Sequence, residues 1–181
     1  MYKYENIGFR PIDERDLEIM RKNRNDSSTL LNLGTTDMVS SEQQKKWWQG
    51  ISVSHSQQWH CVVKDDYETI IGILRFQNID HVNRVMEMGM DIYPEFRRKG
   101  YGYKTYLMAM EYLFLHFNIN CIYLKVAAFN QITIKLNEKV GFHQTGYIPQ
   151  SIFRNGKYWD TFIMTITKDS WSNKYCSFKN D

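Results

Sequence analysis

Hydrophobic and polar residues follow two periods along the chain, and each period marks a different kind of element. Alternation, or a short β-branched and aromatic run between turn signals, predicts strands. Such segments lie at residues 7–13, 58–66, 68–80, 84–94, 121–127 and, as a hairpin with Arg154-Asn155-Gly156 at its turn, 143–167. Apolar residues three and four positions apart predict four helices, over residues 13–26, 40–54, 101–117 and 130–142.

The order of these elements decides the fold class. The first strands form an antiparallel meander, two strand–helix units follow, and the hairpin comes last. This order predicts one α/β domain on a largely antiparallel sheet, and a chain of 181 residues is of one-domain size. We expect a single domain over residues 1–181, with a core from 7 to 167 and a C-terminal tail from 168 to 181.

The strand over residues 84–94 divides its side chains between two chemically different faces. Because successive side chains of a strand point to opposite sides, one face is apolar and the other carries two carboxylates, unless a bulge resets the register. The apolar face holds Met86, Met88, Met90 and Ile92, and the other face holds Val85, Glu87, Gly89 and Asp91.

Composition narrows the classes of function. Charged residues make up 24% of the chain and the net charge is only +3, which argues against a nucleic-acid-binding protein. The three cysteines, Cys61, Cys121 and Cys176, lie far apart without metal-ligand spacing, so we expect no metal and a reducing compartment. No apolar run approaches the roughly 18 residues of a membrane span, so we expect a cytoplasmic protein without membrane partners.

The stretch "YPEFRRKGYGYKT", residues 93–105, places two glycines and three basic residues between a strand and a helix. Free N–H groups at a helix start, glycines that allow close approach and local positive charge together suit a phosphate group. The Walker A pattern is absent, and Thr105 stands where a dinucleotide fingerprint needs its third glycine. The alternative is a plain loop with solvated basic residues that precedes a helix.

Three segments resemble the GNAT superfamily of N-acetyltransferases. "IYPEFRRKGYGYKTYLMAMEYLF" resembles its pyrophosphate signature Gln/Arg-x-x-Gly-x-Gly/Ala, "NQITIKLNEKVGF" its Asn…Glu-Lys-x-Gly-Phe segment, and "IFRNGKYWDTFIMTI" its closing hairpin. The chain is similar to the ribosomal-protein-alanine, spermidine and amino-sugar-nucleotide acetyltransferase branch, and the resemblance spans about residues 7–167. The resemblance implies a GNAT fold: a mixed, largely antiparallel sheet of six to seven strands flanked by about four helices.

The resemblance also implies acetyl-CoA as co-substrate, without a metal. In the family, the loop amides bind the pyrophosphate, the strand end pairs with the pantetheine arm, and an asparagine touches that arm. For Asn130 the alternative role, an N-cap of the next helix, is compatible with contact to the arm. By position, the cofactor-binding residues are Met90, Ile92, Arg97, Arg98, Lys99, Gly100, Tyr101, Gly102, Thr105 and Asn130.

The implied reaction is direct attack of a primary amine on the thioester in a ternary complex. It needs a proton acceptor for the amine and a hydrogen-bond donor that stabilises the oxyanion of the tetrahedral intermediate. Glu87 stands where many family members carry a catalytic glutamate, and Asp91 is a second candidate for the same role. The alternative for Glu87 is a strand residue that only forms a salt bridge. Asn137 replaces the tyrosine that often protonates the leaving thiolate. Asparagine cannot give a proton at pH 7, so Tyr101 or water serves, or the thiolate leaves unaided.

The acceptor stays open at this point. Trp47, Trp48 and Tyr158 are candidate acceptor-binding residues, and Arg21 and Arg24 share a helix face that could meet an anionic acceptor. A protein N-terminus or a small amine such as an amino-sugar nucleotide is favoured over a polyamine, because no acidic cluster is visible. We expect a monomer or homodimer. The alternative function is a non-catalytic acyl-CoA-binding regulatory module on the same fold.

Overall fold

The computed structural model describes residues 1–175, and a mixed sheet of eight strands forms its centre. The strands are β1 (Tyr2–Tyr4), β2 (Ile7–Pro11), β3 (Gln58–Lys64), β4 (Ile70–Asp80), β5 (Val85–Ile92), β6 (Cys121–Ala127), β7 (His143–Arg154) and β8 (Lys157–Thr167). Across the sheet they lie in the order β1-β2-β3-β4-β5-β6-β8-β7. Neighbouring strands are antiparallel except β5 and β6, which are parallel.

Helices cover both faces of this sheet. They are α1 (Leu17–Asn25), α2 (Ser27–Leu30), α3 (Ser41–Ile51), α4 (Tyr101–Glu111), α5 (Gln131–Val140) and α6 (Lys168–Tyr175). The helix that begins with α4 ends in a wider π-type turn, Tyr112–His116. None of the helices within residues 1–175 is both long and apolar enough to cross a bilayer.

Local sequence signals explain where several elements begin and end. Ser40 and Gln43 form a reciprocal capping box at the start of α3, and Gly141 ends α5 with a φ of 104°. Asn155 and Gly156 connect β7 to β8 with φ values of 51° and 77°, as a two-residue hairpin with positive φ at both positions requires. The turn at Asn155-Gly156 confirms the predicted hairpin, and the other two signals begin and end helices that the sequence predicts over residues 40–54 and 130–142.

Two apolar clusters lie on opposite faces of the sheet. The larger one packs α4, α5 and α6 against β2 to β6 and β8, and it contains the fully buried Met86 and Met88. The smaller one packs α1 and α3 against β3 and β4 and includes Met20, Ile73 and Tyr93. The predicted division of β5 into an apolar face and a polar face is therefore confirmed, without a bulge between Glu87 and Ile92.

The strands β5 and β6 separate part-way along their length. Their pairing covers only Val85 to Glu87 against Cys121 to Tyr123, although β5 continues to Ile92 and β6 to Ala127. The residues Met88–Ile92 therefore have β4 as a neighbour on one side and no strand on the other, within the part of the chain described here. Separation of two parallel strands opens a cleft beside exposed backbone N–H and C=O groups.

The predicted α/β fold class is confirmed, whereas the number of elements is higher than expected. The sheet has eight strands instead of six to seven, because Tyr2–Tyr4 adds an edge strand that is too short to show alternation. The predicted tail from 168 to 181 contains α6, whose Trp171 is buried against Phe114. Residues 176–181, including Cys176, lie outside the described part.

Candidate functional site

The loop that precedes α4 presents a row of backbone donors to solvent. Gly100 is the N-cap of α4 in the left-handed conformation, with a φ of 82°, and Arg98 also has a positive φ of 60°. Within residues 1–175, the N–H groups of Arg98, Lys99 and Gly100 donate to no protein acceptor. Those of Tyr101 and Gly102 begin the helix and have no acceptor inside it. This amide cradle, from Arg98 to Gly102, leaves its N–H groups free to donate to an anion such as a pyrophosphate.

The two glycines of this loop serve different purposes. A Cβ atom on Gly100 would meet nothing within 4 Å, so the space beside it is open to a ligand. A Cβ atom on Gly102 would lie 3.2 Å from Cδ2 of Leu136 and 3.5 Å from Cε of Met90. Gly102 therefore allows α4 to pack closely on α5 and β5, a role that the sequence motif alone does not reveal.

The other predicted cofactor residues take varied positions. Thr105 is fully buried in α4, and its Oγ1 has no hydrogen-bond partner among residues 1–175. The Asn130 side chain accepts a hydrogen bond of 3.2 Å from the N–H of Thr133 and caps α5, as the alternative role for this residue predicted. Met90 and Ile92 lie on the stretch of β5 that has separated from β6.

Arg97 uses its side chain inside the protein. Its Nε donates to the carbonyl of Ile92 at 2.8 Å, and its two terminal nitrogens donate to Oγ of Ser28 and Oγ1 of Thr29, both at 2.7 Å. The guanidinium therefore joins the end of β5 to α2, a helix that lies far from it in the sequence. Sequence reasoning missed this contact, because the basic triplet gave no sign that one side chain turns inward.

A cavity of about 370 Å³ lies beside the separated end of β5, on the face that carries α1 and α3. Aromatic and apolar side chains form much of its wall. The indole rings of Trp47 and Trp59 meet edge to face, 4.7 Å between centroids. The other apolar lining residues are Met20, Met38, Val39, Ile73 and Tyr93. A volume of this size suits a small-molecule site.

The three predicted acceptor residues do not share one place. Trp47 lines this cavity, whereas Trp48 borders a separate cleft of about 270 Å³. Tyr158 is 63% exposed on β8 and packs against Phe153, and it is not among the cavity-lining residues. The structure thus brings only Trp47 of the three to the cavity.

Two guanidinium groups and two carboxylates line the cavity. Arg75 forms an ion pair with Asp91, 2.9 Å between Nη1 and Oδ2. Arg24 donates to Oγ1 of Thr35 at 3.0 Å, and burial lowers its pKa below the usual value. Asp37 is exposed at the rim. Arg21, which shares α1 with Arg24, instead forms a surface ion pair elsewhere and does not line the cavity.

The two candidate bases on β5 are both held by cations. Glu87 lies at the last position where β5 pairs with β6, and its carboxylate accepts from Nζ of Lys125 and Nδ2 of Asn78, each at 3.0 Å. Asp91 carries the ion pair with Arg75 described above and faces the cavity.

Asn137 is fully buried between α5 and β8. Its Nδ2 donates weakly to the sulfur of Met164 at 3.6 Å, and its Oδ1 has no partner within the described residues. Tyr101, the alternative proton donor, is half-buried at the start of α4 with its ring edge-on to Phe96. Residues 1–175 contain no cluster of three or more His, Cys, Asp or Glu side chains that could hold a metal ion.

Comparison with known proteins agrees with this geometry. The family model described as an acetyltransferase (GNAT) domain matches residues 6–143. The chain belongs to the GNAT acetyltransferase family. Among curated relatives of this GNAT protein, spermidine N(1)-acetyltransferase of Vibrio cholerae is 32% identical over 113 residues, 62% of this chain and 65% of that protein. The SPbeta prophage-derived uncharacterized N-acetyltransferase YokL of Bacillus subtilis is 24% identical over 167 residues, 92% and 93% of the two chains.

Solved structures support the fold. A spermidine N-acetyltransferase from Vibrio cholerae, crystallised in complex with CoA and spermine, superimposes with a TM-score of 0.87 at 23% identity. That match covers 93% of this GNAT protein and 99% of the other chain. The sequence match to the Vibrio relative spans slightly less than two thirds of its length, and the match to spermidine N(1)-acetyltransferase of Escherichia coli K12 spans 51%.

Proposed function

We propose that this GNAT protein transfers an acetyl group from acetyl-CoA to a primary amine by direct attack in a ternary complex. One observation carries the proposal: the separated end of β5 has the amide cradle at its C-terminal side and the cavity on one face. A co-substrate held by the cradle and along β5 would meet an acceptor held in the cavity. Family membership and the named N-acetyltransferase relatives support the same reaction class.

Different parts of the chain would bind different parts of acetyl-CoA. The amides of Arg98 to Gly102 would hold the pyrophosphate, and the free edge from Met88 to Ile92 would pair with the extended arm. Arg97 already occupies the carbonyl of Ile92, so pairing there would use other backbone groups of that edge. Acetyl-CoA supplies the activated acyl group as a thioester. The remaining requirements are a neutral amine and a hydrogen-bond donor to the oxyanion of the tetrahedral intermediate.

We assign the proton acceptor to Glu87 and the orientation of the acceptor amine to Asp91. Glu87 lies where the two strands part, and Asp91 lines the cavity two side chains further along the same face. Two-residue steps of a strand span about 7 Å, so the two carboxylates are about 13 Å apart along β5. Glu87 would therefore receive the proton through a chain of several waters, and solvent or Tyr101 would protonate the thiolate.

The test is release of free CoA thiol from acetyl-CoA over a panel of N-terminal peptides, amino acids, amino-sugar nucleotides and polyamines. We expect turnover with one acceptor class, together with direct binding of acetyl-CoA measured by calorimetry. Binding of acetyl-CoA without turnover on any acceptor would contradict the proposal. That result would favour the alternative, a non-catalytic acyl-CoA-binding module.

A further inference from the structure

We propose that the cavity beside β5 recognises an amine that also carries a carboxylate, and that Arg24 is the residue that selects the acid group. The inference rests on the proposed function, because it names the acceptor class of the same site. Two of the relatives are named spermidine N(1)-acetyltransferases, so the charges that line this cavity decide whether spermidine also suits this chain.

Arg24 is the cavity-lining cation whose charge is not offset by an ion pair. No carboxylate of residues 1–175 lies within ion-pair distance of it, whereas the charge of Arg75 is offset by Asp91. Arg24 donates from Nη2 to the hydroxyl of Thr35, and its Nη1 is buried without a partner in the described chain. A half-buried guanidinium with a free donor is unfavourable unless a hydrogen-bond acceptor completes it, and an acceptor of negative charge would also offset its charge.

A carboxylate is the anion that best matches this group. The planar guanidinium donates two parallel hydrogen bonds to a carboxylate, and such charge-assisted pairs are among the stronger interactions in proteins. The second guanidinium of the cavity, Arg75, lies over the ring of Trp59 at 5.4 Å and is already paired with Asp91, so Arg24 is the arginine left to bind a carboxylate.

The amine end of the acceptor has its own partners. Asp91 faces the cavity from the separated end of β5, where the acetyl group would arrive, and Asp37 stands at the rim. An acceptor that places its ammonium near Asp91 and its carboxylate near Arg24 gives Arg24 the anion it lacks and adds a cation beside the ion pair of Arg75 and Asp91. The indoles of Trp47 and Trp59 and the side chain of Met20 then suit an apolar group attached to the same molecule.

A polyamine matches this cavity poorly. Spermidine carries only positive charges at neutral pH, and it would bring them against Arg24 and Arg75 in a partly dehydrated space. The formal charges of the two arginines and the two carboxylates that line the cavity sum to zero, so the lining does not create the negative potential that a polycation needs.

The test uses pairs of probes that differ only in the acid group: L-phenylalanine and L-methionine, each against its amide, with spermidine as the polycation. Binding is followed by tryptophan fluorescence, since Trp47 and Trp59 line the cavity, and turnover by release of CoA thiol. We expect the acids to bind and react at least about tenfold better than the amides, and spermidine to rank below the acids.

Variants then assign the effect to Arg24. We expect Arg24→Gln to weaken binding and kcat/KM for the acids by about tenfold or more and to change those for the amides by less than about twofold. The matched control is Arg21→Gln on the same helix. Arg21 is held on the surface by Glu18, 2.8 Å away, and its replacement should leave both probe classes unchanged.

Each outcome decides between the two levels of the hypothesis. Four results would overturn the inference: equal binding of acids and amides, binding of neither, a preference for spermidine, or an acid preference that survives in Arg24→Gln. If the protein still turns over an amine in such a case, the proposed function stands. Selective, Arg24-dependent binding of the acids without turnover on any amine would keep the inference and overturn the proposed function.

Discussion

At the scale of single residues, Gly100 and Gly50 show opposite uses of glycine. Both have open space where a Cβ atom would be added. Gly100 has a φ of 82° at the N-cap of α4, a conformation that is strained for any residue with a side chain. Gly50 lies inside α3, where glycine has no conformational advantage and its freedom in the unfolded chain lowers stability.

We expect Gly100→Ala to lower the free energy of unfolding by about 1 kcal/mol and to raise the Kd for acetyl-CoA by about tenfold, because the new methyl group enters the space above the cradle. Urea denaturation and calorimetry measure the two effects. Gly50→Ala is the matched control, with an expected gain of about 0.5–1 kcal/mol and an unchanged Kd. An unchanged Kd in Gly100→Ala would contradict the assignment of the cradle.

The Glu87 carboxylate offers a second test at this scale. If it accepts the proton of the amine, Glu87→Gln should lower kcat by about 10²- to 10⁴-fold with little change in the KM of either substrate. The amide keeps the size of the side chain and can still accept a hydrogen bond from Asn78 or Lys125, so folding should be preserved. Steady-state kinetics across pH measures the effect.

Asp91→Asn is the companion variant for Glu87→Gln. Because Asp91 faces the cavity, its loss should raise the KM of the acceptor more than it lowers kcat. A large fall in kcat for Asp91→Asn, together with a nearly normal kcat for Glu87→Gln, would exchange the two roles.

At the scale of elements, the sequence predicts most of what local signals can determine. The capping box of α3, Gly141 after α5 and the Asn155-Gly156 turn each act within a few residues, so their positions could be read directly. The edge strand Tyr2–Tyr4 and the single turn α2 are too short to show a period, and contacts distant in sequence stabilise them. Tyr2, for example, donates a hydrogen bond to Glu111 at 2.6 Å.

The guanidinium of Arg97 couples two elements that the sequence does not connect. Arg97→Lys keeps the charge but loses the planar fork that reaches Ser28, Thr29 and the Ile92 carbonyl. We expect stability to fall by about 1–2 kcal/mol and the KM values of acetyl-CoA and acceptor to rise together, because Thr29 lines the cavity and Ile92 ends β5. Denaturation and steady-state kinetics check this.

A double-mutant cycle isolates the coupling between the two elements. Arg97→Lys and Ser28→Ala should combine less than additively, since each removes the same hydrogen bond. Arg21→Lys on the surface of α1 serves as the control for replacing arginine by lysine. Strict additivity of the pair, or a rise in only one KM, would contradict the coupling.

At the scale of the whole molecule, the candidate site depends on distances that the sequence does not contain. The sequence identified the phosphate loop, the carboxylates of β5 and Trp47 as candidates. It did not show that Arg24 and Arg75, which are separated by the whole of α3 and β3, line one cavity. Packing of α1 on the sheet face formed by β3 and β4 brings them together, and such long-range contacts follow from tertiary structure only.

On the opposite face of the sheet, His60 lies between aromatic rings of the larger apolar cluster. Its imidazole lies 4.9 Å from the ring of Phe9 and 5.1 Å from that of Phe76, and both ring nitrogens are buried without a partner among residues 1–175. Burial, with a smaller contribution from the N-terminal amine, lowers the pKa of His60 from 6.5 to about 4. The folded protein therefore holds this ring neutral where the unfolded chain protonates it.

Between pH 6.5 and 4 the unfolded state binds more protons at His60 than the folded state does. Titration of His60 therefore leaves the free energy of unfolding unchanged above pH 6.5 and lowers it as the pH falls toward 4. The loss should reach about 2 kcal/mol at pH 5. Urea denaturation at pH 7.5 and pH 5 measures the fall in the free energy of unfolding. In His60→Phe and His60→Leu this fall should be smaller by about 2 kcal/mol, because carboxylates elsewhere titrate in the same way in all three proteins. The same decline in the wild type and both variants would show that His60 is protonated in the folded state and that its burial does not couple folding to pH.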